Sequence, residues 1–166
     1  MKKIMTIDHK NYSEDMPVFE RFGVRAMIRR NVQYAMQKNN LGIYKIPGGG
    51  IDPGETCAQA LCREVLEETG LIVKKGTIKE IGEILELKQD IFQSGQKYIC
   101  HSLYYSCDVE EFTTSTHLTE SEQAQGFELQ WVTLEEAIDS NKRLSQDDWI
   151  VRDTRFLEWF LQNYHD

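Results

Sequence analysis

Gly49-Gly50-Ile51-Asp52-Pro53-Gly54-Glu55 runs on through Thr56-Cys57-Ala58-Gln59-Ala60-Leu61-Cys62 into Arg63-Glu64-Val65-Leu66-Glu67-Glu68-Thr69-Gly70-Leu71. A glycine-rich loop here feeds a short acidic helix. Thr56 is placed as an N-cap, and Gln59 three residues later completes a capping-box pattern. Gly70 is a natural helix stop. About four turns lie between them at roughly 3.6 residues per turn. On a helical wheel Ala58, Leu61, Cys62 and Val65 share one face, which can dock on a core. Glu64, Glu67 and Glu68 stand at i, i+3 and i+4 and share a neighbouring face.

Three stacked carboxylates repel one another, at a few tenths of a kcal/mol per like-charged pair. A hard divalent cation with a taste for oxygen ligands would compensate. The alternative is a solvated acidic face. The loop favours the cation: Pro47 with three glycines, then Asp52-Pro53-Gly54, describes a tight backbone excursion. Its amides and carbonyls can approach a ligand beside a helix N-terminus that favours anions.

Gly49, Glu55, Arg63, Glu64, Val65, Glu67, Glu68, Gly70 and Leu71 resemble the Nudix box without departure, nine positions over 23 residues. The resemblance implies an α+β fold in which a mixed β-sheet is sandwiched between α-helices. It implies a MutT-like, cytoplasmic pyrophosphohydrolase acting on a nucleoside diphosphate linked to a further moiety X. Mg²⁺ is the implied cofactor, with Mn²⁺ as an alternative. Carried onto this chain, the metal ligands are Glu64, Glu67 and Glu68 with the carbonyl of Gly48, and Glu64 doubles as water activator. Arg63 is implied to tie down Glu55 and so orient the loop, with Gly70 closing the motif. A base from outside the box is common in the family; Glu120, Glu122 and Glu128 are candidates, and Glu128 is preferred because it stands near Trp131 at the end of a long polar segment.

Elsewhere the chain reads as an ordinary globular domain. It has 166 residues, 40% apolar and 28% charged. The expected organisation is a strand or arm over residues 1–20, belonging to the same domain, and a single Nudix domain over 21–166. Apolar runs are too short to span a membrane, and Met1-Lys2-Lys3-Ile4 does not open like a secretory leader. Cys57, Cys62, Cys100 and Cys107 have no paired spacing, so reduced thiols are expected. A net charge of −8 argues against sequence-independent nucleic-acid binding. A nucleotide is still allowed, because a bound cation reverses the local field. The expected partner is a small nucleotide-type diphosphate, bound by a monomer or homodimer.

Taken in order, residues 21–30 alternate as a strand, with Val24, Ala26 and Ile28 on one face. Asn31 turns the chain, and residues 33–37 read as the antiparallel partner. Residues 43–46 form a short strand into the glycine loop. Residues 78–87 are extended, with Gly82 marking a bulge. Residues 97–109 form one strand whose apolar face carries Ile99, His101, Leu103, Tyr105, Cys107 and Val109. Residues 110–126 read as a long polar loop, mobile without ligand and the expected seat of substrate choice. Residues 128–132 are a strand, Thr133 opens a helix, and residues 153–164 form a final amphipathic helix.

Arg25, Gly49 and Gly50 are the candidate substrate-binding residues; Arg25 and Arg29 share a strand face from which either could reach diphosphate oxygens. Tyr44, Phe92, Tyr98 and Tyr104 are candidates for stacking on a base. His101 has no assigned role. A non-catalytic nucleotide-binding domain is the competing reading, but that class usually shows a degraded box or an attached DNA-binding module.

Overall fold

The structure, a computed structural model, describes residues 1–144 and 147–164, so four positions of the expected domain lie outside the described residues. The chain opens with β1 (Lys3–Asp8) and β2 (Val18–Met27), then β3 (Arg29–Arg30), β4 (Gln33–Lys38) and β5 (Tyr44–Lys45). Helix α1 (Cys57–Thr69) follows the glycine loop. After it come β6 (Leu71–Val73), a short 3₁₀ turn, β7 (Lys79–Gln89), β8 (Lys97–Ser106) and β9 (Val109–Thr113). Helix α2 (Glu120–Gln125), β10 (Glu128–Val132), α3 (Leu134–Leu144) and α4 (Asp148–Asn163) complete the fold.

One sheet has the order β1-β7-β8-β2. It is mixed: β1 runs parallel to β7 and β2 parallel to β8, while β7 and β8 are antiparallel. The N-terminal arm is therefore a strand of this sheet. The second sheet has the order β10-β4-β3, with β5 on β4. The expected hairpin survives only as the two-residue pairing of β3 with β4, extended by Ala35 N–H donating to Ile28 O. The strand before it divides at Ile28, so Val18–Met27 joins one sheet and Arg29–Arg30 the other. Asn31 turns the chain with φ 56°, a conformation asparagine tolerates better than most residues. The register shifts between Glu80 and Gly82, where the bulge was expected.

Two cores occupy opposite sides of the sheets. Ala60, Leu61 and Val65 of α1 pack with Val24, Ala26, Ile28 and Tyr105. Leu134, Ala137 and Ile138 of α3 and Phe156, Leu157 and Phe160 of α4 pack with Met27, Ile84 and Tyr104. Each fully buried large side chain contributes roughly 1.5–3 kcal/mol. Because successive strand residues point to opposite faces, Ala26 and Met27, or Tyr105 and Tyr104, enter different cores. This corrects the face expected for residues 97–109. Cys100, Ser102 and Tyr104 are buried too, since helices cover both sides. That segment also breaks after Ser106, and its continuation β9 pairs with β6.

The segment 110–126 is not a structureless loop. Its start is strand β9, and its end is α2, capped by Thr119 and Glu122 in a reciprocal capping box. Helix α1 carries the expected Thr56–Gln59 capping box, and Gly70 closes it in the left-handed conformation. Helix α4 begins five residues earlier than expected. Its added first turn places Trp149 and Arg152 on the same cavity as the glycine loop.

Candidate active site

Strand β2 holds the glycine loop from one side. Val24 N–H donates to Gly49 O at 2.9 Å and Ala26 N–H to Pro47 O at 2.8 Å. Gly48 takes φ +142°, and a Cβ there would fall 2.1 Å from Val24 O. At Gly49 a Cβ would lie 2.4 Å from the Glu64 carboxylate. The bare backbone is what lets Glu64 close on the loop.

Arg63 reaches from the helix to the loop. Its Nε and Nη2 each reach a carboxylate oxygen of Glu55 at 2.8 Å, and Nη2 also donates to Gly50 O at 3.0 Å. Nη1 donates to Glu64 at 2.7 Å and Glu67 at 3.3 Å. The guanidinium thus fastens loop to helix and holds three box glutamates, Glu55, Glu64 and Glu67, at once. It keeps the Glu55 carboxyl well down, at about 2.

Glu68 is buried, with 4% of its surface exposed. Its Oε2 accepts the Gly48 N–H at 2.7 Å, and its Oε1 stands 2.6 Å from Lys45 Nζ. Burial pushes its carboxyl up, and the ammonium pulls against that rise. Lys45 Nζ also contacts Glu122 Oε1 at 2.8 Å, bridging the box helix to α2. Burial opposes the lysine's charge, but Glu68 and Glu122 outweigh it and raise the ammonium. Glu122 is likewise penalised by burial, yet Lys45 and the Thr119 cap hold it at about 2.

These groups line one cavity of about 390 Å³. Glu64, Glu68 and Glu122 line it with Gly48, Gly49 and Gly50, together with Arg21, Arg25 and Arg152. Arg25 donates to Val24 O at 2.7 Å and Gly49 O at 3.4 Å, and its Nε is buried with no hydrogen-bond partner among the described residues. The donor set suits a hard divalent cation: carboxylate oxygens on one helix face, beside loop carbonyls and next to phosphate-type arginines. At present two cations, Lys45 and Arg63, neutralise those carboxylates.

Other expected positions fall elsewhere. Glu67 is 40% exposed and joins the group through Arg63. Glu128 is exposed on β10 and accepts from Gln130 Nε2, and it does not line the cavity. Glu120, at the start of α2, is exposed too. Arg29 lies on the second sheet, donating to Asn31 O. Tyr44 and Tyr104 are core residues; Tyr104 stacks on Phe156 with centroids 3.6 Å apart, so neither is open to a base. Lys45, Arg21, Trp149 and Arg152 are lining residues that patterning missed. Lys45 was legible as a charge set between Tyr44 and Ile46, and Arg21 as the residue two strand repeats from Arg25. Nothing local marked Trp149 and Arg152.

His9, Glu86 and Asp148 also bring metal-ligand atoms within 4.8 Å of one another. Lys88 contacts both carboxylates, at 3.4 and 2.9 Å, and Arg152 lies 3.6 Å from Glu86. That group already contains its own cations and reads as an ion network joining β7 to α4.

The NUDIX domain profile matches residues 21–160. The chain belongs to the NUDIX family. It is 43% identical over 61 residues to an RNA pyrophosphohydrolase of Erythrobacter litoralis, covering 35% of this chain and 37% of that relative. It is 29% identical over 122 residues to the asymmetrical bis(5'-nucleosyl)-tetraphosphatase of Mus musculus, covering 72% and 77%. The chain therefore spans little more than a third of the first relative and about three quarters of the second. Among solved structures, a NUDIX hydrolase from Nitrosomonas europaea superposes with a TM-score of 0.59 at 20% identity, covering 84% of this chain and 90% of that one. At that identity the likeness speaks for the NUDIX fold. Among the described residues no helix is long and apolar enough to cross a membrane.

Proposed function

We propose that this protein is a metal-dependent pyrophosphohydrolase that cleaves a diphosphate linkage in a nucleoside diphosphate bearing a further moiety. The observation that carries this reading is the single cavity that Glu64, Glu68 and Glu122 line together with Arg21, Arg25 and Arg152 beside the glycine loop. Carboxylates to hold a cation and arginines to hold phosphate oxygens meet there, which is the pairing that diphosphate hydrolysis needs.

Glu64, Glu67 and Glu68, with a loop carbonyl such as that of Gly48, would hold Mg²⁺ or Mn²⁺. When bound, the ion supplies polarisation of phosphoryl oxygens and a more acidic water. Arg25 and Arg21 neutralise and orient the diphosphate, and the loop N–H groups of Gly49 and Gly50 approach its oxygens. A carboxylate oxygen of Glu64 accepts the proton of the attacking water, and Glu122 is a carboxylate from outside the box that lines the same cavity. Arg63 and Lys45 act earlier, holding the carboxylates in place and excluding their mutual repulsion. The four described free cysteines suit a reducing cytoplasm.

The names of the relatives put nucleoside polyphosphates and RNA among the substrates worth testing. The deciding assay offers the protein a panel of these with Mg²⁺ and with Mn²⁺, reading phosphate and pyrophosphate release. Metal-dependent release from at least one compound is expected. Tight nucleotide binding with no release from any of them would instead identify a non-catalytic binding domain.

A further inference from the structure

The catalytic cavity does not end at the arginines. It continues into a second cavity of about 450 Å³, large enough for a nucleoside. Arg21, Arg25, Trp149 and Arg152 line both and form the junction. Beyond the junction the character changes. The walls become aromatic: Phe19 and Tyr98, paired across β2 and β8 with ring centroids 5.9 Å apart, and Phe92 on the loop 90–96.

Phe19, Arg21 and Arg25 stand at alternate positions and share one face of β2. The step from Arg21 to Phe19 is two strand residues, roughly 7 Å at about 3.4 Å each. That is on the scale separating a nucleotide's phosphates from its base. Arg21 itself lies against the glycine loop, with Nη2 3.2 Å from the position of a Cβ on Gly50. Phe92 is 93% exposed, and the loop presents it through a turn in which Asp90 Oδ1 accepts the N–H groups of Phe92 and Gln93. Phe92 lines the same cavity as the Phe19–Tyr98 pair, and its ring is left open for a ligand to cover. Lys88 Nζ stands 5.7 Å from the Tyr98 ring centroid, keeping charge at this wall. A planar, polar-edged aromatic group fits such a site. A long isoprenoid chain does not, because four cations and two carboxylates line the same space.

We propose that this second cavity binds the base of a nucleoside polyphosphate, stacked against Phe92 and the Phe19–Tyr98 wall, while Arg21 and Arg25 hold its diphosphate. The proposal rests on the catalytic reading of the adjoining cavity. It moves substrate choice from residues 110–126 to residues 90–98 and the start of β2. The segment 110–126 instead supplies Glu122 to the catalytic side.

The test is binding, so that it does not depend on turnover. Calorimetry with Mg²⁺ would compare α,β-methylene-ADP and α,β-methylene-GDP with methylenediphosphonate, which has no base. Phe92→Ala and Phe19→Ala, both at exposed positions, should weaken the nucleotides about tenfold or more. The same variants should shift methylenediphosphonate by less than about twofold, since no stacking is lost. Equal weakening of all three ligands, or no weakening of the nucleotides in either variant, overturns the proposal. If the pattern appears but the panel assay finds no hydrolysis, the base site stands and the enzymatic reading fails. If hydrolysis is found without the pattern, only the base site fails. Competition by free nucleoside triphosphate and by a 5'-triphosphorylated oligoribonucleotide separates the two sources of such a base, and displacement by either supports the cavity's role.

Discussion

Lys45 Nζ lies 2.6 Å from the buried carboxylate of Glu68, so the last glutamate of the box is neutralised by a lysine delivered from the strand before the loop. The same ammonium reaches Glu122, 77 residues away in the chain. Removing one member of a buried ion pair leaves the other charge uncompensated, at roughly 3–5 kcal/mol. Lys45→Met should therefore lower the urea midpoint markedly. Millimolar Mg²⁺ should restore more of that loss in the variant than it adds to the wild type. Equal gains in both proteins would contradict a shared site for the lysine and the metal.

Divalent metal should stabilise the wild-type fold through the box carboxylates. A ligand at about a hundred times its dissociation constant adds roughly 2.7 kcal/mol. Thermal unfolding with and without Mg²⁺ checks this, with Glu64→Gln and Glu67→Gln as comparisons that should show a smaller upward shift. A shift undiminished in both variants would place the metal elsewhere.

Glu122 and Glu128 compete for the role of the carboxylate outside the box. Glu122 faces the cavity, whereas Glu128 is exposed on β10. Glu122→Gln should cut kcat by on the order of tenfold or more, one step of about 1.4 kcal/mol of lost transition-state stabilisation, because Lys45 then loses its charged partner on α2 and the carboxylate cluster shifts. Glu128→Gln should stay near the wild-type rate. The reverse ranking in steady-state kinetics would return the role to Glu128.

Acid should weaken the protein in a defined window. Glu55 and Glu122 are held at about 2 in the folded chain, against an ordinary value of 4.5. Their contributions are complete above the ordinary value and are lost as pH falls toward the folded one. Denaturant midpoints at about pH 5 and about pH 3 should fall less in Glu55→Gln and Glu122→Gln than in the wild type. A parallel fall in all three would mean that neither pairing carries the acid sensitivity.

Gly49→Ala separates packing from chemistry. The atoms nearest the added Cβ are those of the Glu64 carboxylate, at 2.4 Å, and that side chain can rotate away. The fold should persist with kcat strongly reduced. Gly48→Ala meets the backbone at Val24 O and should lose stability as well, which thermal unfolding would reveal.

Much of the box was legible along the chain because its determinants are local. Thr56, Gln59 and Gly70 cap α1 through bonds to near neighbours, and Arg63 reaches Glu55 across only eight residues. Helical periodicity alone places Glu64, Glu67 and Glu68 together. Two-residue strand alternation misled where burial acts from outside. Residues 97–109 were read as having one apolar face, but α1 and the α3–α4 pair cover the strand from both sides, so Ser102 and Tyr104 are buried as well. Residues 110–126 read as a loop because α2 is short and buries no side chain. It is defined by its Thr119–Glu122 capping box and by Lys45, which comes from a distant strand.

By itself, then, the sequence determined the acidic helix, its caps, the glycine loop and the family to which they belong, since each depends on spacings of a few residues. Only the tertiary structure decided which remote side chains complete the cavity. Parallel pairing of β2 with β8 sets Phe19 beside Tyr98, and the first turn of α4 brings Trp149 and Arg152 to the arginines of β2. These meetings depend on strand order and helix docking between residues more than fifty positions apart, and no local pattern of polarity encodes them.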